Sequence, residues 1–264
     1  MTQPVVLVEQ RGHTLLVTIN RPEAANSINA DVHTGLGEAW ERAGKDPDVR
    51  VVVLTGAGDS VFCGGADLKA LGTAGPGGVT PPETAHWGFA GVVKHHITKP
   101  VVAAVNGTAL GGGTELALAS DLVVAADTAE FGLPEVHRGL IAGAGGVFRI
   151  VEAVPRAVAL ELVLTGKPMA AADALRWGLV NRVVPRADVL TTALELADLV
   201  AAGAPLAVQT SKTIARGIVD GIVPSEERAW AATDAALARL TTSADTLEGV
   251  LAFLEKRTPV WSGR

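Results

Sequence analysis

The order of apolar and polar residues divides this chain into a strand-rich first half and a helical second half. VVLVEQRGHTLLVTIN, residues 5–20, reads as two strands turning at Arg11–Gly12. A helix is expected around residues 30–45, followed by apolar, largely β-branched runs at 49–55, 101–105 and 121–126, as in strands buried on both faces. Past Gly146 the period becomes helical in AVALELVLTG, AADALRWG, VLTTALELADLVAAGA and SEERAWAATDAALARL, broken by a short strand, LVNRVV, at 179–184. The Gly- and Pro-dense stretch GTAGPGGVTPPE, residues 72–83, predicts a mobile loop.

Two glutamates interrupt the apolar pattern where a charge is least comfortable. Glu115 and Glu135 stand in NGTALGGGTELALASDLVVAADTAEFGLPEVHRGLIAGAGG, residues 106–146, and a buried carboxylate is costly unless paired or used. Taken alone, Glu115 fits a helix-dipole partner and Glu135 a solvated turn residue. The surrounding glycines change that picture. In VRVVVLTGAGDSVFCGGADLKAL, residues 49–71, a buried strand gives way to a glycine turn and a short helix, which places the Gly64, Gly65 and Ala66 backbone at a helix start. KPVVAAVNGTALGGGTEL, residues 99–116, repeats the arrangement. N–H groups at helix starts lack intrahelical partners and can bind an oxyanion. Two such units with two carboxylates describe an acid–base site that stabilises a developing negative charge.

Six ordered motifs carry a resemblance over nearly the whole chain: INRPEAANSIN (19–29), FCGGADLKAL (62–71), KPVVAAVNGTALGGGTELALASDLVVAADTAEFGLPEV (99–136), GAGG (143–146), ALRWGLVNRVVP (174–185) and FLEKRTPVWSGR (253–264). The chain resembles the crotonase family, the enoyl-CoA hydratase and isomerase superfamily. The resemblance implies an α/β fold, a crotonase-like spiral of repeated ββα units over residues 1–195, with a C-terminal helical trimerisation region over 196–264. It implies Glu115 and Glu135 as the catalytic carboxylates, and Ala66 and Gly112 as oxyanion donors through their backbone N–H groups. Gly64, Asp67, Leu68, Lys69, Gly143 and Lys256 are then expected at the substrate, Lys69 and Lys256 toward the CoA phosphates and Gly143 toward the catalytic water. Both carboxylates being present favours water addition to a 2-enoyl-CoA over double-bond migration. Homotrimers or pairs of trimers are the expected assembly, and coenzyme A enters as part of the substrate, with no separate cofactor.

Composition narrows the alternatives. A formal charge of −6 with no clustered basic run argues against nucleic acid as the main ligand. The one cysteine, Cys63, excludes an intrachain disulfide and a thiolate-rich zinc site, and the six histidines show no metal-ligand spacing. GAGDSV at 56–61 and GAGG do not form a dinucleotide fingerprint; GAGG reads as a tight turn opening a helix beneath the site. No long apolar run starts the chain, so a cytoplasmic protein without a membrane span is expected. Trp87 and Phe89 are candidates to line the acyl pocket. His137 and Arg138, following Glu135, raise a second reading: hydration or dehydration of a functionalised acyl-CoA, such as one bearing a hydroxyl or trimethylammonium group. An isomerase and a non-catalytic acyl-CoA-binding scaffold are further alternatives, separable by product analysis.

Overall fold

The computed structural model describes residues 4–264, so the first three residues of the expected core lie outside the described residues. The chain opens with the antiparallel pair β1 (Val6–Arg11) and β2 (Thr14–Ile19), with Gly12 at φ +57° in the turn. Helix α1 (Ala30–Lys45) is capped by Asn29, whose Oδ1 accepts from the Val32 N–H at 3.0 Å. It buries Val32, Leu36, Ala39, Trp40 and Ala43 along one face. Next come β3 (Val51–Gly56), β4 (Val61–Cys63) and α2 (Leu68–Ala74), then β5 (Val101–Val105), β6 (Thr108–Leu110) and α3 (Gly112–Ala119). A third round follows with β7 (Leu122–Ala126), β8 (Glu130–Gly132), a 3-10 turn at Pro134–Arg138 and α4 (Gly146–Ala153). The remainder is α5 (Arg156–Thr165), β9 (Met169–Ala170), α6 (Ala171–Trp177), β10 (Arg182–Val184), α7 (Val189–Ala201), α8 (Pro205–Arg216), α9 (Glu227–Leu240) and α10 (Ala244–Leu254).

Each round places its first strand in one sheet and its second strand in another, which is the ββα spiral implied by the sequence. The larger sheet runs β1-β2-β3-β5-β7-β10 and is parallel from β2 onward. All of β3 and β5 is buried, and they are apolar apart from Thr55, whose hydroxyl donates to the Ala104 oxygen at 2.8 Å. The smaller sheet runs β4-β6-β8-β9, with β4, β6 and β8 parallel and β9 antiparallel. The carboxyl ends of β4, β6 and β8 therefore emerge side by side, the position where parallel sheets bind ligands.

Departures from the sequence reading have local causes. LVNRVV is a strand only over Arg182–Val184, because Leu179 and Val180 are buried in the turn that leaves α6. The 72–83 stretch is more regular than its composition implies. Helix α2 continues to Ala74, and 3-10 turns follow at Gly75–Gly78 and Pro82–Trp87. Helix α7 crosses residue 195 and buries Ala193, Ala197 and Ala201 against β3, β5 and β7. Two helices have no counterpart in the sequence reading. α8 buries no residue, and α10 carries a glycine, Gly249, at its buried contact with the Arg138 backbone. Among the described residues no single helix is long and apolar enough to cross a membrane.

Candidate active site

Glu115 sits on α3, a helix buried from Gly112 to Leu118. The helix can lie this deep because its first two residues, Gly112 and Gly113, carry no side chain: a methyl built on Gly113 would stand 2.0 Å from the Cys63 carbonyl oxygen. Thr114 ties the same turn to both flanking strands, its Oγ1 lying 2.7 Å from the Ala109 oxygen and accepting from the Gly132 N–H at 3.0 Å. Glu115 is 3% exposed, and its Oε1 accepts two backbone hydrogen bonds, from Ala144 at 2.7 Å and Gly146 at 2.8 Å. Both donors land on one oxygen, leaving Oε2 for another partner. Burial and the neighbouring Glu135 charge push the Glu115 carboxyl well above its ordinary value, while those two N–H groups and Arg149 pull it down; burial prevails.

The GAGG segment supplies this cradle. Gly145 adopts φ +99° immediately before α4 starts at Gly146, turning the Ala144 and Gly146 N–H groups toward the carboxylate.

Glu135 arrives from the end of β8, in the first turn of the 3-10 segment opened by Pro134. Its Oε1 approaches Gly111, where a methyl would lie 2.8 Å away, and its Oε2 is buried without a hydrogen-bond partner. Burial raises this carboxyl too. A buried, unpartnered oxygen next to a second carboxylate is poised for a ligand or water, and the two acids titrate as a pair.

The two glycine loops after β4 and β6 touch. A methyl on Gly65, at φ +90°, would come within 3.1 Å of the Gly112 nitrogen. Ala66 is bridged to Ile28, through Ile28 N–H to the Gly65 oxygen at 2.8 Å and Asp67 N–H to the Ile28 oxygen at 2.9 Å. In this parallel bridge the bonds use the residues flanking Ala66, so its own N–H is left to other acceptors. Gly112 occupies the first position of α3, where an N–H has no intrahelical acceptor. Phe89 closes over it: a methyl on Gly112 would sit 2.3 Å from the Phe89 ring.

Other expected site residues fall around this centre or away from it. Gly64 is exposed and donates to the Ala25 oxygen at 2.9 Å. The Asp67 carboxylate is committed elsewhere, capping α2 through the Lys69 and Ala70 N–H groups and pairing with Arg21 at 2.9 Å. Leu68 and Lys69 are exposed on the first turn of α2. Gly143 faces Leu237 of α9, and the carboxylate donors are its neighbours Ala144 and Gly146. Lys256 is exposed just past α10, at φ +55°. Trp87 stacks on His95 at 5.2 Å between ring centroids and packs against Gly37 of α1, while Phe89 is the aromatic residue at the site. His137 is exposed beside Gly166, and the Arg138 guanidinium lies over the Phe253 ring of α10 at 4.1 Å. Cys63 is buried and its thiol is pushed up to about 12, too high for a nucleophile.

Two buried carboxylates with raised proton affinity lie close to the two touching glycine loops on a ββα spiral, an arrangement suited to acid–base chemistry. The chain matches the family described as enoyl-CoA hydratase/isomerase over residues 9–264. It is 43% identical over 258 residues to a carnitinyl-CoA dehydratase of Proteus mirabilis, covering 96% of this chain and 97% of that protein. A crystal structure of carnitinyl-CoA hydratase from Mycobacterium avium superposes with a TM-score of 0.97 at 58% identity, with full coverage of both chains. The crystal structure of an enoyl-CoA hydratase from Mycobacterium tuberculosis H37Rv matches with a TM-score of 0.76 at 43% identity, covering 99% of this chain and 100% of that one. The chain belongs to the enoyl-CoA hydratase/isomerase family and is a hydro-lyase.

The donors Ala144 and Gly146 were not singled out by sequence, although GAGG marked their turn. Arg149, one helical turn beyond, was also missed; its signal is a lone cation in the apolar stretch VFRIV.

Proposed function

We propose that the protein adds water reversibly across the 2,3 double bond of a 2-enoyl-CoA, with Glu115 and Glu135 as the acid–base pair. The observation that carries this reading is the opposed state of the two carboxylates: one oxygen of Glu115 held by two N–H groups, one oxygen of Glu135 buried without a partner. In the hydration direction, Glu115 orients a water and takes one of its protons as the hydroxyl bonds to C3. Electrons of the double bond move toward the thioester oxygen, and Glu135 delivers a proton to C2. Dehydration reverses each step. The Ala66 and Gly112 N–H groups meet the enolate charge on the thioester oxygen, an interaction whose loss typically costs ~10²–10³ in rate. Lys69 and Lys256, both exposed, are candidates for the CoA phosphates.

A second reading concerns the acyl group. The closer superposition on a carnitinyl-CoA hydratase than on an enoyl-CoA hydratase, 0.97 against 0.76, supports an acyl chain bearing a trimethylammonium group at C4. His137 and Arg138 do not supply this preference, since both turn to other helices. Exposed apolar residues in the C-terminal region, Leu199, Leu206, Ile214, Leu247 and Leu254, support assembly through that region as trimers.

The test is loss of conjugated thioester absorbance with crotonyl-CoA and with its C4-trimethylammonium analogue, and product analysis with a 3-enoyl-CoA. Hydration of either 2-enoyl substrate upholds the reaction, and a preference of more than about tenfold for the cationic one upholds the second reading. Binding of both without absorbance loss, or conversion of the 3-enoyl-CoA alone, contradicts it.

A further inference from the structure

Beneath the Glu115 cradle lies a buried ion pair that the reaction as described does not use. Arg149, 3% exposed, donates from Nε and Nη2 to the two carboxylate oxygens of Glu226 at 2.9 and 2.7 Å, and Glu226 is itself 8% exposed. Nη2 also donates to the Val93 oxygen at 2.9 Å, and the Trp230 Nε1 donates to Glu226 Oε2 at 3.1 Å. Nη1 has no partner and lies against the catalytic turn, where a methyl on Gly145 would be 3.3 Å from it.

One guanidinium therefore touches three pieces of the site. It meets the glycine turn whose N–H groups hold Glu115. Through Val93 it holds the segment that lays Phe89 over Gly112, and through Glu226 it anchors the start of α9, whose Trp230 and Leu237 pack on Gly145 and Gly143. A turn rich in glycine is poorly rigid by itself, and a buried ion pair is a weak source of net stability against apolar replacements. Its geometric consequence is to fix where the two N–H donors point.

We infer that Arg149, braced by Glu226, is a positioning residue for hydration: it locks the Gly143–Gly146 turn on Glu115 and sets the field under which Glu115 exchanges its proton. This inference rests on the Glu115–Glu135 reading above. Other charged groups bear on the pair: His96 from the loop before β5, Lys212 and Arg216 of α8, and Glu152 of α4. They are left unchanged in the variants below, so their effect is common to all.

Two variants displace the field in opposite directions. Glu226→Gln keeps the shape and one acceptor but removes the charge opposing Arg149, so the guanidinium acts on Glu115 less neutralised and the carboxyl holds its proton less tightly. The alkaline limb of the crotonyl-CoA kcat profile then moves down by about half a unit. Arg149→Met with Glu226→Met removes the pair and replaces it with apolar volume, an exchange buried pairs often tolerate, and moves the limb up. In both, kcat falls about tenfold or more while KM changes less than about threefold, as expected where only the transition state is affected. A structural bystander would lower the folded fraction without moving either limb. Unmoved limbs, or both limbs moving the same way, overturn the inference, and hydrogen–deuterium exchange at the Ala144 and Gly146 amides unchanged from wild type does so even if one variant is too unstable to assay. Absence of hydration by the wild type would instead overturn the underlying reaction.

Discussion

The two sheets grow from the same ββα rounds and differ in almost every other respect. In the large sheet, β3 and β5 are runs of five or six residues, buried throughout, and their side chains fill the core. In the small sheet, β4, β6 and β8 are three residues each; Gly64 follows β4, Gly111 follows β6 and Gly132 closes β8. The long strands supply the apolar burial that holds the fold, and the short ones deliver backbone N–H groups and two carboxylates to one place. The lesson is a separation of labour within each repeat: the first strand stabilises, the second positions. A change in the large sheet is then felt as stability, and a change at the ends of the small sheet as rate.

Gly112→Ala tests the small sheet with the largest expected effect. The added methyl meets the Phe89 ring at 2.3 Å, so either the ring or the α3 start must shift, and kcat falls ~10²–10³, the loss typical of an oxyanion donor. Steady-state kinetics on crotonyl-CoA check this, and Phe89→Leu in the same chain restores part of the rate if the clash is the cause. Leu54→Ala tests the large sheet. Leu54 is 1% exposed, so urea denaturation shows a loss of about 2–5 kcal/mol, while kcat per folded molecule stays within about twofold.

Proton affinity separates the regions again. Both site carboxyls are raised from the ordinary 4.5 by burial, so the folded protein holds more protons than the unfolded chain above that value. Their contribution to stability is fully present below the unfolded pKa and is lost as pH rises through the raised folded values. Glu115→Gln is uncharged and its amide oxygen still accepts the two N–H bonds. Its thermal midpoint therefore exceeds that of wild type at alkaline pH and approaches it in acid, as pH-dependent calorimetry measures. Wild-type kcat declines on the alkaline side as the pair loses its last shared proton. The smallest effect is expected at Cys63: with a thiol at about 12 and fully buried, it resists iodoacetamide in the folded state, and Cys63→Ala leaves kcat within about twofold.

Sequence made the large sheet legible because runs such as VRVVVLTG and KPVVAAV carry their own burial signal. The small sheet is too short for periodicity, and only its glycine loops and the family resemblance marked it. Side-chain commitments lay beyond reach. Asp67 sits in the FCGGADLKAL motif, yet its carboxylate caps α2 and pairs with Arg21, a partner 46 positions away. Arg149 and Glu226 are 77 positions apart, and no local pattern links them. Helices α8 and α10 were not read from the sequence, and their large apolar residues Leu206, Ile214, Leu247 and Leu254 are exposed.

The central claim is that the two glutamates act as one acid–base pair under the two loop N–H groups. It is tested most directly by crotonyl-CoA hydration with wild type, Glu115→Gln and Glu135→Gln measured side by side, with the Kd of a saturated acyl-CoA determined for each. The account predicts that each variant binds the acyl-CoA within about threefold of wild type and loses ~10²–10⁴ in kcat, with the double variant losing little more than either one. Near wild-type turnover by either folded single variant would contradict it.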